Sequence, residues 1–434
     1  MARLPRVFWV SWLALSSCSW SRFDDVSENS PVVRFDSPKA VIGIGSALST
    51  AQSSDGAWLL AAGHESTSLY SLGRDESPAR GALRVVDCSS SDGCWLAAHL
   101  AGLGITTDDG TLACFAYALG ASGDAQGRLM LQCEDGTRPI FEVPPSVGDS
   151  GVLGTANRDL RVELTSGAAF SGDALLAALP DVPLVWWYPT SNSSPLEISV
   201  PQDAQSGFGA SLGLMRGPNG GWLLSVGEPD AARIWLFSAT STDSTLVGCL
   251  SGPEGFGRTQ TVGEFDELTG DDLAVSDADR AYVISSNGLS DRAAAAPTQC
   301  VDIGDLPFLA ELACAERDEV RDCANGDFGT AMSSADLDDD GRDEILVGAP
   351  GLEVQGKHNA GAVAVFGHLD NDFVLADYFR VSTAESGDRL GSSVAPVALS
   401  RPDAVVVGAP GKNRLFGFYC SELWPSDLDS PRCH

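Results

Sequence analysis

The chain has 434 residues, 44% of them hydrophobic, enough for one large ring of repeats or two or three ordinary domains. A formal net charge of −32 excludes a surface built to hold phosphate backbones or anionic headgroups, and no basic patch makes a local exception, so nucleic acid is not an expected partner. The 47 Gly and 23 Pro, against 4 Met, favour many short strands joined by tight turns over long helices.

In chain order the first signal is an address. Arg3 and Arg6 precede an apolar stretch, 7–15, too short to cross a bilayer as a helix but long enough for a signal-peptide core. Leu15-Ser16-Ser17-Cys18 follows and resembles a bacterial lipobox. The resemblance implies a signal peptide over 1–18, a lipid carried by Cys18 and, with Ser19 next, placement at the outer membrane of a Gram-negative cell. The alternative is an ordinary signal peptide beside a chance cysteine. Residues 19–35, rich in Ser, Asp and Glu, read as a flexible tether, and 425–434 as a C-terminal tail.

Ten further cysteines make an even number, which in an exported chain points to disulfides. Connectivity is not fixed by sequence. Sequential pairing would staple local hairpins: Cys88 with Cys94, Cys114 with Cys133, Cys249 with Cys300, Cys314 with Cys323, and Cys420 with Cys433. Zinc is a poor alternative, because no CxxC pair occurs and the five histidines are scattered.

One nine-residue frame then recurs along the chain. It reads DGAWLLAAG at 55–63, DGCWLAAHL at 92–100, NGGWLLSVG at 219–227 and DGRDEILVG at 340–348. Shorter copies stand at 173–180, 271–276 and 403–410, giving seven. Each contains an apolar run of the kind that forms a strand buried on both faces. Upstream of five copies an apolar residue precedes Gly, at Ile44-Gly45, Phe208-Gly209, Phe256-Gly257, Phe328-Gly329 and Leu390-Gly391. Downstream comes a further apolar stretch, so each repeat supplies three or four strands. Such a unit cannot cover its own faces and must stack on copies of itself.

Gly326-Asp327-Phe328-Gly329, followed by DLDDDGRDEILVGAPG over 336–351, resembles the FG-GAP repeat of integrin α-subunit heads, and 407–411 repeats its second half. The resemblance is close in the last two repeats and faint before residue 190. It implies an all-β, seven-bladed β-propeller over 36–424. Six or eight blades stay open, because 101–170 is poorly marked.

Asp336, Asp338, Asp340 and Glu344 occupy positions one, three, five and nine of an acidic loop with Gly341 at six. Alternating carboxylates on a tight turn suit calcium, which prefers six to eight hard oxygens. The resemblance adds the backbone carbonyl of Arg342 at position seven. It also implies that such loops stiffen the lower face of the ring while ligands meet the opposite one. Glu344 departs from the usual Asp at position nine. In the fifth copy Glu264, Asp266 and Asp272 match positions one, three and nine, but Leu268 and Thr269 replace the Asp-Gly. One good calcium site is expected.

Catalysis finds little support. Gly148-Asp149-Ser150-Gly151 resembles the nucleophile turn of trypsin-like proteases, yet no histidine has the flanking residues of that family. Trp186, Trp187 and Tyr188 read as a packed strand rather than a sugar platform, and Trp58, Trp95 and Trp222 as packing residues at one repeat position. The reading is a monomeric, envelope-anchored interaction module that binds calcium and a protein or polysaccharide. An enzyme with its site on the ring axis and a purely structural envelope protein are the alternatives.

Overall fold

The computed structural model describes residues 33–36, 45–53, 56–62, 67–74, 83–85, 103–107, 110–122, 125–133, 138–142, 152–153, 158–160, 167–171, 174–179, 183–189, 195–205, 207–216, 220–268, 270–286, 289, 300–306, 309–317, 319–337, 340–369, 372–398, 402–421 and 432–433. Among these the regular structure is β-strand, with four short 3-10 turns and helical residues at Ser286 and Leu289. No described helix is long and apolar enough to cross a membrane.

The strands form antiparallel meanders in chain order. Ala47–Ser53, Gly56–Ala62, Thr67–Arg74 and Leu83–Val85 make one sheet, and Gly167–Ser171, Ala174–Leu179, Leu184–Tyr188 and Leu196–Ile198 another. Between them Leu103–Thr107, Gly110–Ser122, Ala125–Cys133 and Arg138–Glu142 are extended by Val152–Leu153 and Arg158–Leu160. Next come Ser211–Arg216, Trp222–Glu228, Arg233–Ala239 and Ser244–Ser251, then Gln260–Gly263, Asp272–Ser276, Arg280–Ile284 and Ala310–Ala313. Ala331–Ala335, Glu344–Ala349, Ala362–Leu369 and Asp372–Phe379 follow, and Ser393–Ala398, Pro402–Ala409 and Arg414–Ser421 come last. Six of the seven sequence frames coincide with the second strand of a sheet; the frame at 92–100 lies outside the described residues.

Successive sheets meet along their leading strands. Gly167–Ser171 lies against Ser211–Arg216, that against Gln260–Gly263, then Ala331–Ala335, then Ser393–Ala398. Ser393–Ala398 in turn lies against Ala47–Ser53 of the first sheet, and Gly110–Ser122 bridges the first sheet to Gly167–Ser171. The circle is therefore closed. Val33–Asp36 seals it by pairing antiparallel with Arg414–Gly417 as the outer strand of the last sheet. Val33, Arg34 and Phe35 thus belong to the ring rather than to the tether expected over 19–35. This arrangement of meander sheets about one axis is a β-propeller.

The core lies between sheets, as the two-residue period of a strand requires. Along Glu344–Ala349, Ile345 and Val347 pack with Val283, Leu312 and Phe328 towards the preceding sheet. Leu346 points the other way, to Val363, Val394, Val407 and Phe416. All six residues of that strand are buried. Each large apolar side chain so placed contributes about 1.5–3 kcal/mol.

The Phe-Gly turn and the closing glycine explain each other. Phe208, Phe256 and Phe328 are almost wholly buried and pack in the core between their own sheet and the one before. Gly329 has φ +80°, and its N–H donates to the Gly348 carbonyl of its own sheet at 3.0 Å. A Cβ at Gly329 would stand 2.7 Å from Cβ of Ser276 in the preceding sheet, so only glycine fits. Gly45 repeats this at the seam, where its Cβ would meet Cα of Gly408 at 2.8 Å. Hydroxyls two residues after such glycines tie neighbours together: Ser211 donates to the Gly257 carbonyl at 2.7 Å and Thr259 to that of Gly329 at 2.8 Å.

Candidate functional site

The acidic loop joins Ala331–Ala335 to Glu344–Ala349 at one end of its sheet. Asp336 turns its carboxylate inward, accepting the N–H of Asp340 at 3.1 Å and of Gly341 at 3.0 Å. Gly341, at φ +87°, makes the turn with open space on its Cβ side. Glu344 is 1% exposed and accepts the Leu337 N–H at 2.6 Å. Asp340 accepts the N–H of Arg342 at 2.8 Å and pairs with its guanidinium at 2.9 Å. Asp338 lies outside the described residues. Three of the four predicted carboxylates thus close one loop, and Arg342 sits on the same turn.

The donor types fit a hard cation: Asp336, Asp340 and Glu344, the described candidate ligands with side-chain donors, all offer carboxylate oxygens. Among the described residues no three acidic, His or Cys side chains converge closely enough to hold a metal by themselves.

Residues that sequence reasoning passed over surround the loop. Asp343, between two expected ligands, spans two sheets: its Oδ2 accepts the Glu264 N–H of the preceding sheet at 3.1 Å, and its carboxyl also accepts the backbone N–H of Asp336. Burial, with Asp336 and Glu264 nearby, pushes its carboxyl up to about 6. His368 is buried against Phe373, ring centroids 4.0 Å apart, and burial followed by the Arg342 charge lowers its pKa. The Asp-Asp pair in the fifth copy was the available signal, because Asp271 and Asp343 stand at the same place in the frame.

In the fifth-copy loop the described carboxylates are engaged by backbone N–H groups. Asp272, 1% exposed, accepts the Phe265 N–H at 3.1 Å and the Ser286 N–H at 2.8 Å, and burial pushes its carboxyl up to about 6. Asp266 spends one oxygen on the Leu268 N–H, and Glu264 is engaged by Asp343 through its backbone.

Two disulfides are described, Cys249–Cys300 and Cys314–Cys323. The first fastens a strap from the fifth repeat to the outer edge of the Ser211–Ser251 sheet, where Val301–Asp302 pairs parallel with Leu250–Ser251. The backbone sets Cys114 opposite Cys133 and Cys420 opposite Cys433 on neighbouring strands. Cys18, Cys88, Cys94 and the 148–151 turn lie outside the described residues. Trp187 is buried, donates to the Thr240 carbonyl at 2.9 Å and meets Trp222 edge-on at 5.4 Å, while the Arg216 guanidinium lies 3.7 Å from the Trp222 ring centre. Both tryptophans are therefore engaged in packing.

Residues 328–366 match the family model of the FG-GAP repeat, a span that begins at the Phe-Gly turn and contains the whole acidic loop. Fold and repeat together define a β-propeller that carries an FG-GAP repeat. Among solved structures the chain is similar to the β-propeller domain of Myceliophteria thermophila Cps50 (Swd1), at 11% identity over 89% of this chain and 99% of that one, TM-score 0.48. It is also similar to Kluyveromyces lactis Hsv2, at 12% identity over 91% and 97%, TM-score 0.45. The WD40 domain of Toxoplasma gondii coronin matches at 10% identity over 89% and 85%, TM-score 0.48. No curated protein matches the chain in sequence.

Proposed function

We propose that this chain is a seven-bladed propeller lipoprotein, anchored through Cys18 at the outer membrane of a Gram-negative envelope, that takes calcium at 336–344 and binds a protein or polysaccharide. The observation that carries the reading is the coincidence of the FG-GAP match with an acidic loop already closed by its own N–H groups. Asp336, Asp338, Asp340 and Glu344 supply carboxylates and Arg342 a carbonyl. Calcium there would cross-link the two ends of the turn, and its role is structural, not catalytic. A rigid ring that presents many loops suits recognition, as repeat scaffolds do. The charge of −32 directs it to partners other than nucleic acid.

Two measurements test this. A palmitate analogue should label the wild-type chain and not Cys18→Ala; equal labelling, or none, contradicts the anchor. A pull-down from native envelopes should recover a protein or glycan that is lost in chelator. Recovery of nothing specific in either condition contradicts the binding role.

A further inference from the structure

Two successive joints between neighbouring sheets are made by the same reciprocal pair of hydrogen bonds. Asp343 donates its N–H to the Glu264 carbonyl at 2.8 Å and accepts the Glu264 N–H on Oδ2 at 3.1 Å. One sheet earlier, Asp271 donates its N–H to the Arg216 carbonyl at 2.9 Å and accepts the Arg216 N–H on Oδ2 at 2.6 Å. In both cases the Asp precedes the first residue of a buried second strand, Glu344 or Asp272, and its partner lies at the end of the preceding sheet's leading strand. The pair is thus a repeat-level device.

Only the later pair touches the acidic loop. Asp343 stands between Arg342 and Glu344, and its carboxylate is shared between the Glu264 N–H of the preceding sheet and the Asp336 N–H of the loop. A shift of residues 342–344 must pull on Glu264. The joint is tight: a Cβ at Gly263 would run into the Asp343 carboxylate. A second tie runs in parallel, since Phe265 meets Phe373 edge-on at 6.2 Å, and Phe373 carries His368.

We propose that Asp343 is a positioning residue that couples the acidic loop to Glu264, at the end of the preceding sheet's leading strand, so that an ion held at 336–344 also orders Glu264. The proposal rests on the calcium reading above.

Amide hydrogen exchange on the full chain, in calcium and in chelator, tests it. In the wild type, calcium should slow exchange at Glu264 together with the loop amides of Asp340 and Gly341. In Asp343→Ala the Glu264 amide should exchange fast in both conditions, and the calcium midpoint read at Asp340 and Gly341 should rise about 3- to 10-fold, the loss of roughly one hydrogen bond. Asp343→Asn keeps an acceptor oxygen and should restore both. Asp271→Ala, which breaks the twin pair, should free the Arg216 amide and leave the midpoint unchanged. The coupling is overturned if wild-type Glu264 ignores calcium while Asp340 and Gly341 respond, a result that needs no variant to fold. It is also overturned if Asp271→Ala raises the midpoint as much as Asp343→Ala, since the effect would then be general loosening. Loop amides silent to calcium overturn the calcium reading, and the coupling with it.

Discussion

The Ser393 hydroxyl donates to the Gly45 carbonyl at 2.6 Å across 348 residues of chain. Ser211 with Gly257 and Thr259 with Gly329 make the same bond between sheets that follow one another in sequence. At Ser393 the bond instead joins the last sheet to the first. The seam is therefore built like the other joints and adds the paired strand Val33–Asp36.

Removing either partner should weaken the seam by different amounts. Ser393→Ala leaves a buried carbonyl short of one donor and should cost about 1 kcal/mol in urea unfolding. Gly45→Ala should cost more, because Gly45 stands at φ +90°, where a left-handed backbone alone costs about 1–2 kcal/mol, and its Cβ would press on Gly408. Equal, negligible effects would contradict the seam geometry.

The buried Asp272 sets a pH signature. Its folded pKa, about 6, lies above the usual carboxylate value, so between about pH 4 and 6 the folded chain holds a proton that the unfolded chain has released. The stability from this group is fully present below about pH 4 and lost as pH rises through 6. Asp272→Asn does not titrate, so its Tm relative to wild type should climb from pH 4 to pH 7. A difference constant with pH would contradict the burial of this carboxylate.

The two disulfides should differ in worth. Cys249–Cys300 closes a loop with separation 51 and Cys314–Cys323 one of 9. Chain entropy then gives about 4 kcal/mol for the first and about 3 kcal/mol for the second. Double Cys→Ala variants compared in guanidinium unfolding should rank in that order, and the reverse order would mean that the strap at 300–302 holds without its bond.

How much of this was legible in the sequence depended on whether a constraint was local. Phe328, Gly329 and Gly348 announce themselves because a left-handed turn and a close approach of backbone admit few residues. The strand Val33–Asp36 was not legible, since Val-Arg-Phe-Asp becomes a strand only when Arg414–Gly417 offers an edge. The Leu103–Glu142 sheet carries no Phe-Gly turn, and its leading strands follow no frame. The loop at 336–344 was readable as a spacing of carboxylates, but the Asp343 bond to Glu264 joins residues 79 apart and exists only once two sheets stand side by side.

The closed ring is tested most directly at its seam. Asp36 and Arg414 are opposite residues of an antiparallel pair, so Asp36→Cys with Arg414→Cys, oxidised in dilute solution, should give an intrachain disulfide in the monomer, found by mass spectrometry of the linked peptides. Absence of that link in folded monomer, or its formation only between two chains, would contradict a ring closed by its own first strand.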